Sequence, residues 1–323
     1  MPLAPRFLVA AAILGVPALS AAPADANPAI KVGNSSAQAF NFLPLAIGIE
    51  QRFYEKNGVD VTEIDLGGSA KLHQAMTAGA IDMGLGAGTD IAFLVKGAPE
   101  KAVAGIAVTP ALFGVIVGYD SPIKKLSDLK NARMGISTVG SLTQWLAFQI
   151  AKKEGWDPNS FTFVNDGSEY TAQLAALETK AIDAQISGAA LGWNLELQKK
   201  GRLLAPASEW VGAFLQNVVF ASDDLIKKEP NAVRGFIKGW LEGVSYMETH
   251  KKETIAFART KDHFAEEVEE KQYASVMPSF APGGSFPPDA VAPVRASFVE
   301  LGILPTEPDM SKYMTEEFLP GHK

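Results

Sequence analysis

Two stretches about a hundred residues apart share one pattern, and that repeat restricts the chain to a fold that can be built twice. Gln74-Ala75-Met76-Thr77-Ala78-Gly79-Ala80-Ile81-Asp82-Met83 matches Ala175-Ala176-Leu177-Glu178-Thr179-Lys180-Ala181-Ile182-Asp183-Ala184. Lys31-Val32-Gly33 stands at a similar offset before Arg133-Met134-Gly135, and Gly68-Ser69 before Gly167-Ser168. Three landmarks in the same order imply one supersecondary unit used twice, as two lobes.

Each copy alternates strand and helix patterns. In the first, Ile30 to Asn34 reads as a strand, and a loop from Ser35 to Pro44 leads into a helix stopped at Asn57-Gly58. Val59 to Leu66 alternates apolar and polar residues, as a half-buried strand does. Ser69 is placed to cap a helix with Leu72 and Met76 on its buried face. Ile81 to Leu85 is a third strand, and Asp90 to Lys96 a further helix. The second copy repeats this with a strand at Arg133 to Ser137. A helix from Ser141 to Glu154 follows, with Ser141-x-x-Gln144 as a capping box. Phe161 to Val164 and Ile182 to Ser187 are strands, Ser168 caps the helix between them, and a helix from Leu191 to Lys200 stops at Gly201. Such alternation predicts an α/β fold, with mostly parallel sheets flanked by helices. Val103 to Val108, Phe113 to Tyr119 and Asn217 to Ala221 read as extended segments between the lobes, giving two crossings about which they can hinge. After Asp223 the pattern is helical, and this tail is expected to pack on the first lobe. The predicted division is a targeting segment at 1–26, lobe one at 27–112 plus 216–323, and lobe two at 113–215.

The first residues have the character of an export signal. Arg6 precedes an apolar run from Phe7 to Leu19, and Ala24-Asp25-Ala26 offers the small residues a signal peptidase reads. The run is too short for a membrane span, which takes about 20 residues, and no later stretch qualifies. Export with cleavage near Ala26 is therefore expected. The chain has no cysteine, which excludes disulfides, thiolate metal sites, cysteine nucleophiles and a lipid-modified cysteine tether. An export signal without that tether fits a protein diffusing in a bacterial periplasm. A net charge of −7 without basic clusters argues against nucleic acid as a partner.

The candidate site comes from turns that link strands to helices. They are Gly67-Gly68-Ser69, Gly86-Ala87-Gly88-Thr89, Ser137-Thr138-Val139-Gly140-Ser141, Asp166-Gly167-Ser168 and Ser187-Gly188-Ala189. In open parallel sheets the ligand crevice lies at the carboxyl ends of the strands. Turns there present free N–H groups and the positive ends of helix dipoles. The expected contacts are Ser35, Ser36, Gln38 and Phe42 from the first loop, then Ser69 and Thr89. Lobe two is expected to add Thr138, Ser141, Ser168 and, through its backbone, Ala189. Phe42 and Trp193 are candidates to cover an apolar part of the ligand. No Lys or Arg is expected nearby, so a bound anion would rely on helix dipoles and hydrogen bonds.

Enzyme motifs fail on inspection. Gly135-Ile136-Ser137-Thr138-Val139-Gly140-Ser141 has the glycine spacing of a phosphate loop without its Lys, and misses the G-x-S-x-G elbow by one residue. Gly84-Leu85-Gly86-Ala87-Gly88 is a poor dinucleotide fingerprint. His73, His250, His263 and His322 are dispersed, with His73 expected on a helix surface, so no metal set or Ser-His-Asp arrangement is assembled. Glu266 to Glu270 reads as a solvated helix face. Asp82 and Asp183, at matched positions, are expected to have a structural turn role. No catalytic residue, metal or cofactor is expected.

Three stretches carry a family resemblance: Phe53-Tyr54-Glu55-Lys56-Asn57-Gly58-Val59-Asp60-Val61, Ala78-Gly79-Ala80-Ile81-Asp82, and Asp120-Ser121-Pro122-Ile123-Lys124-Lys125-Leu126-Ser127-Asp128-Leu129-Lys130. From about residue 30 to 210 the chain resembles solute-binding proteins of ABC importers for nitrate, sulfonate and taurine, which share a fold with thiamine-pyrimidine-precursor binding proteins. The resemblance implies a type II periplasmic binding fold, a monomer that closes on a small, anionic molecule, and delivery to an inner-membrane ABC permease. It leaves open a neutral, aromatic or pyrimidine-type ligand. Where members often carry a Trp-Asp-Pro segment, this chain has Ser187-Gly188-Ala189-Ala190-Leu191-Gly192-Trp193. A fold-sharing synthase of the thiamine pyrimidine is the enzyme alternative, but it relies on clustered cysteines. A periplasmic sensor domain would need a membrane anchor.

Overall fold

A computed structural model of the chain describes residues 26–322, apart from Ala37 and Ser168. The apolar run, Arg6 and most of the cleavage motif lie outside the described residues.

The chain begins with β1 (Ala29–Asn34), α1 (Leu43–Glu50), α2 (Phe53–Lys56), β2 (Asp60–Asp65), α3 (Ser69–Thr77), β3 (Met83–Ala87), α4 (Ile91–Val95) and β4 (Glu100–Ala107). It continues through β5 (Phe113–Gly118), β6 (Arg133–Ile136), α5 (Leu142–Glu154), β7 (Thr162–Asn165), α6 (Tyr170–Glu178), β8 (Ala184–Gly188), α7 (Ala189–Leu197), β9 (Gly201–Pro206) and β10 (Asn217–Ser222). Five helices follow: α8 (Asp223–Lys228), α9 (Pro230–Thr249), α10 (Lys251–Asp262), α11 (Glu266–Val276) and α12 (Pro288–Glu300).

These strands form two five-stranded sheets, ordered β2-β1-β3-β10-β4 and β7-β6-β8-β5-β9. Position by position the sheets correspond. In the first, β10 runs antiparallel to β3 and β4. In the second, β5 occupies the same place and runs antiparallel to β8 and β9. Each lobe therefore receives one strand at a chain crossing, and the remaining strands are parallel. The repeat extends to single hydrogen bonds. The Lys31 N–H donates to Asp82 Oδ2 at 2.8 Å, and the Asp82 N–H returns to the Lys31 carbonyl at 2.9 Å. Arg133 and Asp183 make the same pair of bonds at 2.8 and 2.9 Å. Both aspartates clamp a strand start onto its neighbour, the structural role expected of them.

One apolar core runs through both lobes. Leu72 and Ile91 of the first belong to the same buried cluster as Val115, Ile136 and Leu146 of the second. The β9–β10 connection and α12 fill the space between them with Phe214, Leu215, Val294 and Phe298. Trp145 stacks on Phe214 at 4.3 Å. Gly88 is required at this junction, because a Cβ there would collide with the Leu215 carbonyl oxygen. Behind the first sheet, α9 packs Phe236 on Tyr54 with ring centroids 5.0 Å apart.

Three expectations are corrected. Gly201 does not merely stop a helix: it opens β9, because α7 has already ended and Lys199 turns the chain at φ 55°. The tail does not pack on lobe one alone. α9 covers α1 and α2, but α11 lies against α7, and Glu300 at the end of α12 accepts from Trp145 Nε1 at 2.6 Å and Gln149 Nε2 at 2.8 Å of α5. The glutamate run is not wholly solvated. Glu269 is 0% exposed and is bonded by Gln272 Nε2, and burial together with neighbouring Asp262 pushes its pKa up.

Candidate ligand-binding cavity

A cavity of about 620 Å³ opens between the lobes where the turns after the strands converge. Ser35, Ser36, Gln38, Phe42, Ser69 and Thr89 line it from lobe one, and Thr138 and Ser141 from lobe two. The Asp166-Gly167 turn contributes Gly167; Ser168 lies outside the described residues. Ala189 is not brought to the wall. It is 2% exposed, and its N–H donates to the Leu112 carbonyl at 2.7 Å. Strand β8 continues through Gly188, which lines the cavity instead, so the first N–H of α7 is consumed by the chain crossing. Trp193 packs with Ala190, Phe264 and Val268 away from the lining.

The turns are built by side chains that hold their own backbone. Asp90 Oδ2 accepts the Ala87 N–H at 2.8 Å. The Ser137 N–H donates to Thr143 Oγ1 at 2.9 Å. Ser141 Oγ accepts the Gln144 N–H at 3.4 Å, while Gln144 Oε1 reaches back to the Gly140 N–H at 2.6 Å. The capping box is therefore present but shifted by one residue, and Gly140 at φ 80° makes the shift possible. Gly68, at φ 136°, is the N-cap of α3, so Ser69 is not spent as the expected cap. Deeper in lobe two, Ser187 Oγ donates to Gln173 Oε1 at 2.6 Å and Gln173 Nε2 to the Gly167 carbonyl at 2.9 Å.

His73 is not on a helix surface. It is 2% exposed, with Nδ1 2.8 Å from Glu100 Oε2 and Nε2 3.5 Å from Asp90 Oδ2. Burial alone would lower its pKa, but the two carboxylates outweigh that and hold it at about 9. The ring is an imidazolium at neutral pH, one layer behind the cavity wall that Asp90 helps to form.

A family model described as NMT1/THI5 like matches residues 39–254. The chain belongs to the NMT1/THI5-like family. A sequence search finds no match among curated proteins. Among solved structures, the chain is similar to the alkanesulfonate-binding protein SsuA from Xanthomonas axonopodis pv. citri bound to MOPS, at 18% identity and a TM-score of 0.75, over 89% of this chain and 98% of that one. It is also similar to the periplasmic aliphatic sulphonate binding protein SsuA from Escherichia coli, at 16% identity and TM-score 0.73, over 89% and 92%. The periplasmic nitrate-binding protein NrtA from Synechocystis PCC 6803 matches at 15% identity and TM-score 0.72, over 90% and 87%. The fold is thus the two-lobed type II periplasmic-binding-protein fold.

In this NMT1/THI5-like chain, sequence reasoning missed the charged part of the wall. Lys71, Asp90 and Lys96 all line the cavity, which corrects the expectation of no Lys or Arg nearby. Lys71 was open to view, two residues after the Gly67-Gly68-Ser69 turn in the first turn of α3. Phe93, Tyr170 and Gln173 were also missed; each lies inside a helix rather than in a turn. Among the described residues, no histidine lines the cavity.

Proposed function

We propose that this protein is the periplasmic solute-binding component of an ABC importer. It captures a small organic anion between its lobes and delivers it unchanged to a membrane permease. The observation that carries this reading is the cavity itself: one pocket of about 620 Å³, walled on both sides by helix-starting turns of two corresponding lobes. Residues at the starts of α3 and α5 line the space, and helix N-termini favour negative charge. Lys71 adds a cation at the α3 end. Sulfonates are the first choice of head group, carboxylates the second. The bodies that close are residues 27–112 with 216–323, and residues 113–215, acting as a monomer. Among the described residues no helix is long and apolar enough to cross a membrane, which is compatible with export and cleavage near Ala26.

An enzyme of the same fold is the rival. The chain has no cysteine, and its buried His73 sits behind Phe93 rather than at the wall. A thermal-shift screen across sulfonates, nitrate, aromatic carboxylates and pyrimidines tests the reading. A stabilising compound recovered unchanged supports it; turnover of any hit favours the enzyme. Thr89→Leu with Ser141→Leu should abolish binding, with a stability loss of about 1 kcal/mol or more because Ser141 caps α5. Periplasmic protein that retains Met1 would refute the export step.

A further inference from the structure

The cavity is far larger than the smallest anions need. Nitrate takes the room of roughly two water molecules, about 60 Å³ at ~30 Å³ each, against about 620 Å³ available. What fills the rest is written in two aromatic side chains, one on each lobe. Phe93 of α4 lines the cavity with 37% of its surface exposed. One side of the ring is stacked on His73, with centroids 4.7 Å apart and planes 20° apart. His73 is itself pinned by Glu100 at 2.8 Å, so Phe93 has a fixed backing. Across the cavity, Tyr170 of α6 lines the opposite wall. It is stacked on Phe264 at 5.8 Å and 15°, and Phe264 is anchored by Val268 of α11. Each of the two rings thus has one side already covered by a second ring, the cover over Tyr170 coming from the C-terminal tail rather than from lobe two.

We propose that the solute has a planar aromatic body, held between Phe93 of lobe one and Tyr170 of lobe two when the lobes close. This rests on the anion-binding reading above and names the part of the ligand that reading leaves open. Two flat, backed walls suit a flat partner, because offset stacking uses the whole face of each ring. A saturated ring or flexible chain would touch the same walls through fewer atoms and would lose rotational freedom on binding. Val139, 64% exposed on the β6–α5 loop, and Ile303 supply further apolar lining at the edge of this space. The anionic group would then point to the starts of α3 and α5. The chemical class is an arenesulfonate or aromatic carboxylate of one or two fused rings.

Isothermal titration of the full chain against a matched ladder tests this: nitrate, ethanesulfonate, cyclohexanesulfonate, benzenesulfonate and 2-naphthalenesulfonate, with the corresponding carboxylates. The aromatic members should bind at least tenfold more tightly than the saturated ring of the same head group. Phe93→Leu and Tyr170→Leu should each erase most of that preference, while Phe93→Tyr keeps it. Equal affinity for cyclohexane- and benzenesulfonate in the wild type overturns the proposal without any variant having to fold. If only nitrate or ethanesulfonate binds, the aromatic body is wrong and the anion-importer reading stands. If the whole ladder fails to bind, both fall.

Discussion

The two lobes are the same unit in strand order and in the aspartate that clamps each first strand, yet they present opposite walls to the ligand. Every charged residue of the described lining, Lys71, Asp90 and Lys96, belongs to lobe one. Lobe two contributes hydroxyls, an amide and backbone, including Thr138, Ser141, Gln173 and Ser187. The buried polar groups behind the walls differ in the same sense. Behind lobe one an imidazolium is held between two carboxylates. Behind lobe two Asp166 Oδ1 accepts from Gln185 Nε2 at 3.3 Å; Asp166 Oδ2 and Gln185 Oε1, like His73 Nε2 and Glu100 Oε1 behind lobe one, have no hydrogen-bond partner among the described residues. The two lobes share the frame that makes a cleft and differ in the chemistry of each face. On the proposed function, long-range charge would suit the face that first attracts an anion, and neutral donors the face that closes over it.

The largest expected effect breaks this contrast on the charged side. His73→Ala leaves Glu100, 3% exposed, without its partner in the interior. Removing one member of a buried pair typically costs about 3–5 kcal/mol, a large part of a stability of about 5–15 kcal/mol. Urea unfolding at pH 7 measures it; a loss below about 1 kcal/mol would mean that water or a proton compensates Glu100.

The second expectation is the pH signature of the same group. His73 rises from its ordinary 6.5 to about 9 in the fold, so the native state binds its proton more tightly than the unfolded chain. Its stabilisation is complete below pH 6.5 and disappears as pH climbs through 9, a loss of about 3 kcal/mol. Burial and Asp262 also raise the Glu269 pKa, and that group acts in the same direction. The reading must therefore be the difference between wild type and His73→Gln, each in a Glu269→Gln background. Parallel stability curves for the two would contradict the charged state assigned to His73.

The duplicated frame was legible because it rests on local signals: paired Ala-Ile-Asp triplets, glycine turns and helical spacing. The Asp82 and Asp183 roles could be read for the same reason, since each acts on a strand that its matched position predicts. His73 could not be read that way. Its neighbours Leu72 and Met76 mark the buried face of α3, but the partner that makes a buried histidine tolerable, Glu100, arrives from β4, 27 positions along the chain. Eight of the ten expected contacts line the cavity, because turns after strands must converge at that edge of the sheet. Ala189 failed over a single residue of strand length. Phe93, Tyr170 and Lys71 escaped because reading strand-to-helix turns alone overlooks helical positions that line the same space, and Lys96 because it follows α4 rather than preceding it.

A third prediction sharpens the comparison through binding. Replacing Lys71 and Lys96 together by Gln should weaken an anionic ligand about tenfold and flatten the dependence of affinity on salt, since exposed charges are screened within about 8–10 Å at physiological ionic strength. Thr138→Val with Ser141→Ala should cost about 1 kcal/mol for each hydrogen bond lost and leave the salt dependence unchanged. Titration at three salt concentrations separates the two walls. Equal salt slopes for both double variants would end the division into a charged wall and a neutral one.

The smallest expected effect lies behind lobe two and has the opposite sign. Burial pushes Asp166 from its ordinary 3.8 up to about 6, against the lowering effect of the Gln185 bond. The fold thus prefers the protonated acid, so stability should fall as pH rises from about 4 through 6 and stay lower above it. Gly135 lies beneath this pair: a Cβ there would collide with Gln185 Oε1 and stand 2.7 Å from Asp166 Oδ2. Two acceptor oxygens therefore crowd one small space, which a proton on Asp166 relieves. Asp166→Asn supplies a permanent donor and should stabilise the protein at pH 7.5, by about 1 kcal/mol or less once partial solvent access is allowed for. It should do nothing favourable at pH 4, where wild-type Asp166 already carries its proton. Breaking the His73–Glu100 pair behind lobe one is expected to harm, whereas removing this carboxylate is expected to help. If Asp166→Asn destabilises equally at both pH values, Asp166 is held as a carboxylate by donors the cavity provides, and the neutral character assigned to lobe two is wrong.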